Sequence, residues 1–152
     1  MVTVKEESSG EKEPKMTMDI TVSQSGIDYP SSVRPGQHNI AIHFKEQPAF
    51  GYEHLLGHNI QLVRLKDGYD QSLLNELEDW MDWTKEDGLV ERSPKGTTFL
   101  GGSMEMAGGN TAYFSVNLKP GNYAWIAEVP DPSGKNMLKT FKIPFSKETE
   151  RR

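Results

Sequence analysis

An all-β fold, an antiparallel sandwich or barrel interrupted by one helix, is what this 152-residue sequence predicts. Three observations carry it. At least six short segments alternate apolar with polar residues, two x-Pro-Gly-x turns punctuate them, and one stretch alone switches to helical spacing.

Residues 1–15 read as a flexible polar leader, with Ser8-Ser9-Gly10-Glu11-Lys12-Glu13-Pro14 too poor in apolar surface to offset the entropy of ordering. Such a leader is either a frayed terminus or a spacer left after a removed export signal or a lipid-anchored residue. Met16, Met18, Ile20 and Val22 then alternate with polar residues, as in a strand with one buried face. In Arg34-Pro35-Gly36-Gln37, proline suits the second position of a tight turn and glycine the position needing positive φ; a strand carrying Ile40, Ile42 and Phe44 follows. His58 to Leu65 forms another, with Ile60 and Leu62 on one face. From Asp70 to Trp83 the period becomes three to four, with Leu73, Leu74, Leu77, Trp80 and Met81 as the apolar stripe and Asp70 as N-cap; this helix is expected across an end of the sandwich. Lys85 to Gly109, rich in glycine and polar residues, reads as a long loop. Ala112, Phe114, Val116 and Leu118 precede the turn Lys119-Pro120-Gly121-Asn122, and Tyr123, Trp125, Ala127 and Val129 follow it, which predicts a β-hairpin. Met137, Phe141 and Ile143 mark a last strand, so one domain over 16–146 sits between the leader and a charged tail at 147–152.

Composition narrows the function. The formal net charge is −5, from 17 Lys+Arg against 22 Asp+Glu, and no basic run is interleaved with aromatics, which argues against nucleic acid as a partner. No apolar stretch approaches the roughly 20 residues of a transmembrane helix. The chain has no cysteine, which removes disulfides, thiolate metal sites and thiol catalysis together.

The stretch Leu118-Lys-Pro-Gly-Asn-Tyr-Ala-Trp-Ile-Ala-Glu-Val-Pro-Asp131 resembles the last hairpin of a bacterial extracytoplasmic cupredoxin, and His58-Asn-Ile-Gln-Leu-Val-Arg-Leu65 is similar to the histidine-led strand of the same group. The resemblance covers about residues 16–145. It implies a Greek-key β-sandwich with the helix inserted, and an extracytoplasmic (periplasmic or secreted) location. It also implies that His58 stands where the first copper-ligand histidine falls, that Ala127 stands at the cysteine, and that Met137 takes the weak axial position. Ser133-Gly-Lys-Asn-Met137 is shorter than the family's loop and has no second histidine. A methyl group cannot supply the thiolate on which a blue copper centre depends, so conventional electron transfer through this site is not expected.

Other constellations are weaker. The histidines His38, His43, His54 and His58 lie within 21 positions, with hydrogen-bonded or surface use set against metal ligation; no His-Glu-x-x-His motif is present. Met104 and Met106 flank Glu105 in a glycine-rich stretch, where thioethers could meet Cu(I) or simply fill gaps. Glu76, Glu78, Asp79 and Asp82 fit a solvated helix face, and no serine has a nucleophile context. The expectation is a non-enzymatic, exported cupredoxin-like binding or structural module without a type 1 site and without a cofactor, its partner an unidentified protein or small molecule. The alternative is an unconventional copper-handling protein using some of His54, His58, Met104, Met106 and Met137.

Overall fold

A computed structural model describes residues 10–12, 14–46 and 58–145. Among the described residues, eight strands lie in two four-stranded sheets. One has the order β2 (Gly26–Asp28), β1 (Met18–Ser23), β3 (Gly36–Phe44), β6 (Thr111–Leu118); the other has the order β5 (Thr97–Ser103), β4 (Ile60–Leu65), β7 (Gly121–Ile126), β8 (Leu138–Ile143). Helix α1 (Gln71–Met81) and the single turn α2 (Asp87–Val90) stand between β4 and β5. The chain passes between the sheets at β3–β4, β5–β6 and β6–β7, as a Greek key does. Paired strands are antiparallel except β1 and β3, which run parallel with Ile20 beside Ile42.

The alternating side chains face inward as the sequence predicts: Met18, Ile20, Val22, Ile40, Ile42, Phe44, Ile60, Leu62, Tyr123 and Trp125 form one buried cluster between the sheets. The hairpin expected at Pro120-Gly121 is not one. β6 pairs with β3, whereas β7 pairs with β4 and β8, so the turn is a corner from one sheet to the other. Its flanking apolar sets therefore meet across the core, with Phe114 edge-on to Trp125 at 6.3 Å. Two hydrogen bonds hold the corner: Tyr123 Oη donates to the Lys119 carbonyl at 2.6 Å and Arg64 Nη2 to that of Pro120 at 3.2 Å.

Helix α1 also departs from expectation. It covers the outer face of the second sheet rather than an end, packing Leu73, Leu77 and Met81 on Val63, Leu65, Ala124 and Ile126. The reason is visible in the strands, where Leu62-Val63 and Ala124-Trp125-Ile126 are apolar on both faces and so require cover on both. Each leucine buried there contributes about 1.5–3 kcal/mol. Asp70 is the N-cap, its Oδ1 accepting from Leu73 N at 3.2 Å.

The stretch expected as a loop over 85–109 contains α2 and all of β5. Gly101 and Gly102 misdirect the reading. They are extended strand residues on which a Cβ would strike the Phe114 ring and the Ile60 carbonyl, so glycine here marks close approach of neighbouring chain rather than a flexible loop.

Candidate functional site

The site lies where β4 begins and β7 ends. Gln61 pairs with Ile126, and the ladder is continued by Asn59, whose Oδ1 accepts from Glu128 N at 2.7 Å and whose Nδ2 lies 3.4 Å from Glu128 Oε2. His58, the residue before it, is therefore carried to the start of the segment 127–137 that joins β7 to β8. That segment closes on itself: Ala127 N donates to the Met137 carbonyl at 3.0 Å and Met137 N to that of Pro132 at 2.8 Å. Asp131 and Asn136 adopt φ of 49° and 57°, and Asn136 ends the 3₁₀ turn Ser133–Lys135.

Three neighbours pin this loop from outside. Ile27 N of β2 donates to the Asn136 carbonyl at 3.1 Å. From α1, Glu78 Oε1 accepts from Ser133 N at 2.7 Å and Asp82 Oδ2 from Asp131 N at 3.2 Å. The reading of Glu78 and Asp82 as a solvated face is thus corrected: Asp82 is buried, and Glu78 is bonded to the loop's backbone. Acids in the last turns of a helix oppose its dipole, and these carboxylates are offset by the amides they receive. For Asp82, burial raises the pKa, but hydrogen bonds from Thr84 Oγ1 and N and from Asp131 N, with the charge of Lys85, hold it below the ordinary carboxylate value.

The donor set can be read directly. His58 is 3% exposed; its Nδ1 is buried without a hydrogen bond, while the residue engages in other interactions. Burial first, and the positive charge of Lys135 second, push its imidazole below the usual histidine value, so it is neutral at pH 7. Lys135 Nζ donates to the Pro130 carbonyl within the same loop. Ala127 and Met137 are fully buried members of the central cluster, and Met106, partly buried, packs against it. Met104, two residues away, is 70% exposed, so the two thioethers do not share an environment. His54 lies outside the described residues. His38 and His43 take hydrogen-bonded roles: His38 Nε2 donates to the Arg34 carbonyl at 2.7 Å, and His43 Nε2 meets Asp19 Oδ1 at 2.7 Å.

The structure thus joins Ala127 to Met137 by a backbone hydrogen bond, sets His58 just before the strand that pairs with β7, packs Met106 against the central cluster and leaves Met104 at the surface. One imidazole, a methyl and a nearby ammonium do not fit a copper centre built on a thiolate and two imidazoles. Among the described residues, no group of three or more His, Cys, Asp or Glu is placed to hold a metal ion. Asn59 and Lys135 carry no periodic signal and were not legible as site residues; only the paired motif His58-Asn59 and the short loop hinted at them.

No protein-family model and no curated protein matches the chain. Solved structures do. Auracyanin B is similar at a TM-score of 0.52 and 16% identity, covering 89% of this chain and 93% of that one. The reduced auracyanin of the photosynthetic bacterium Roseiflexus castenholzii gives 0.52 and 12%, covering 84% and 95%. Among the described residues, no helix is long and apolar enough to cross a membrane. In fold, the chain is a cupredoxin-like domain, an all-β sandwich with an inserted helix, and it has no cysteine with which to ligate copper.

Proposed function

We propose that this is a non-enzymatic, exported cupredoxin-like module without a type 1 copper centre, used for binding or as a structural unit. The observation that supports it most is Ala127, a buried methyl at the end of β7 where the resemblance puts the thiolate, in a loop held shut by protein hydrogen bonds. Lys135 adds to this, because the ammonium that disfavours a charged His58 disfavours a metal cation there as well. Location outside the cytoplasm is supported by the family resemblance, and a protein or small molecule is the expected ligand.

A second reading is favoured by one specific feature: Met137 lies in the central cluster, Met106 packs against that cluster, burial favours the neutral form of His58, and thioether with imidazole is a donor set that Cu(I) accepts without a thiolate. Calorimetric titration of the metal-stripped protein with Cu(II), Zn(II) and, under anaerobic reductant, Cu(I) separates the two. The module reading expects heats no larger than buffer for all three. Stoichiometric Cu(I) binding lost in both His58→Ala and Met137→Ala would replace it with copper handling.

A further inference from the structure

We infer that α2 and the turn leading into it form a docking knob for a protein partner whose surface offers an apolar pocket ringed by lysine and arginine. Leu89 is 85% exposed, Val90 75% and Trp83 44%, so half of the large apolar side chains exposed among the described residues fall within eight positions. Apolar residues grouped in this way on the surface of a domain mark contact sites.

This display is held firmly. Leu89 N and Val90 N donate to the Glu86 carbonyl at 2.9 and 3.2 Å, and Glu91 N donates to that of Asp87 at 2.9 Å. The Trp80 indole of α1 donates to the Glu91 carbonyl at 3.1 Å, and Lys85 is paired with Asp79. Gly88 lies so near the Trp80 carbonyl that a Cβ would come within 2.5 Å of it, which shows how closely the turn is seated on α1. Anchors presented in a fixed geometry lose little freedom on binding.

Charge selects the occupant. Between residues 70 and 91 lie eight of the chain's 22 acidic residues and one of its 17 basic ones, a local balance of −7 against −5 for the whole chain. Glu86, Asp87 and Glu91 are exposed on the knob itself, and Glu91 also lines, with Arg92, Lys95 and Lys66, a cleft beside the start of α1. An anionic lipid surface or a nucleic acid would bring like charge to this rim and a second copy a net charge of −5, whereas a basic rim around an apolar centre complements it. The inference rests on the reading of the domain as a binding module, yet it stands apart from the metal question. Metal binding at His58 would leave this surface untouched, and failure here would leave the copper-free reading untouched.

The test is an NMR titration of the ¹⁵N-labelled full chain with an amphipathic leucine–lysine peptide as probe. The expected result is a set of shift changes centred on 83–91 and affinity falling tenfold or more as salt rises from about 50 to about 300 mM. Leu89→Ser with Val90→Ser, both at exposed positions, and separately Glu86→Gln with Asp87→Asn and Glu91→Gln, should each weaken binding by about tenfold or more. Shift changes elsewhere, unchanged affinity in the Leu89/Val90 variant, equal binding of a leucine–glutamate peptide, or self-association without probe would overturn the proposal.

Discussion

His58 shows how the fold controls the charge of one side chain. Its imidazole is pushed below 6.5, the value it regains on unfolding, so between the two values the unfolded chain binds more protons and stability rises with pH. The corresponding penalty is absent above about 6.5 and grows as pH falls through that value toward the folded one. Urea midpoints of the wild type and of His58→Gln should therefore keep a constant difference above about pH 7 and shift in favour of the variant on acidification; parallel curves throughout would contradict this. Asp82 behaves oppositely in range: its contribution is present above 3.8 and is lost as pH falls below that through the folded value. At this scale, the places of His58 before β4 and of Met137 before β8 were legible because each is tied to a motif. Lys135 and Asn59 were not, since their importance comes from the loop that folds over them.

At the scale of elements, the clamp between α1 and the 127–137 loop carries a specific prediction. In Glu78→Ala, hydrogen exchange at the Ser133 amide should speed up with little change at Asp131, and in Asp82→Ala the pattern should reverse, with a loss of about 1–3 kcal/mol because a charged acceptor is removed. Equal exchange in both variants would mean that the carboxylates do not hold the loop. On the opposite side, Gly26 adopts φ of 123° and an added Cβ would lie 2.5 Å from that of Asn136. Gly26→Ala should then cost about 2 kcal/mol or more in urea denaturation, by backbone strain and by displacing the Ile27–Asn136 hydrogen bond. Wild-type stability there would argue that the loop is not braced by β2. Helix α1 was readable from the spacing of Leu73, Leu77 and Met81. β5 was hidden because Gly101 and Gly102 serve close strand contact, a use that composition cannot distinguish from a loop.

For the whole molecule, the alternation of apolar residues was enough to foresee an all-β sandwich or barrel and six of its eight described strands, β2 and β5 excepted. The division of strands between sheets was not, because a Pro-Gly reversal looks the same whether its flanks pair with each other or, like β6 and β7, face across a core. Likewise, continuous apolar runs in β4 and β7 demanded cover on two sides without saying which element would give it. The result is a cupredoxin-like sandwich whose β7–β8 loop donates backbone hydrogen bonds to Asn59, Glu78 and Asp82 and accepts one from Ile27 N. On this account, loop closure is independent of metal.

The most direct test is therefore calorimetric titration of the metal-stripped protein with Cu(II), Zn(II) and Cu(I), beside His58→Ala and Met137→Ala. The account predicts no heat beyond that of dilution and an unchanged thermal midpoint in the presence of each ion. Submicromolar, one-to-one binding that both substitutions abolish would contradict it and make the end of the sandwich a working copper site.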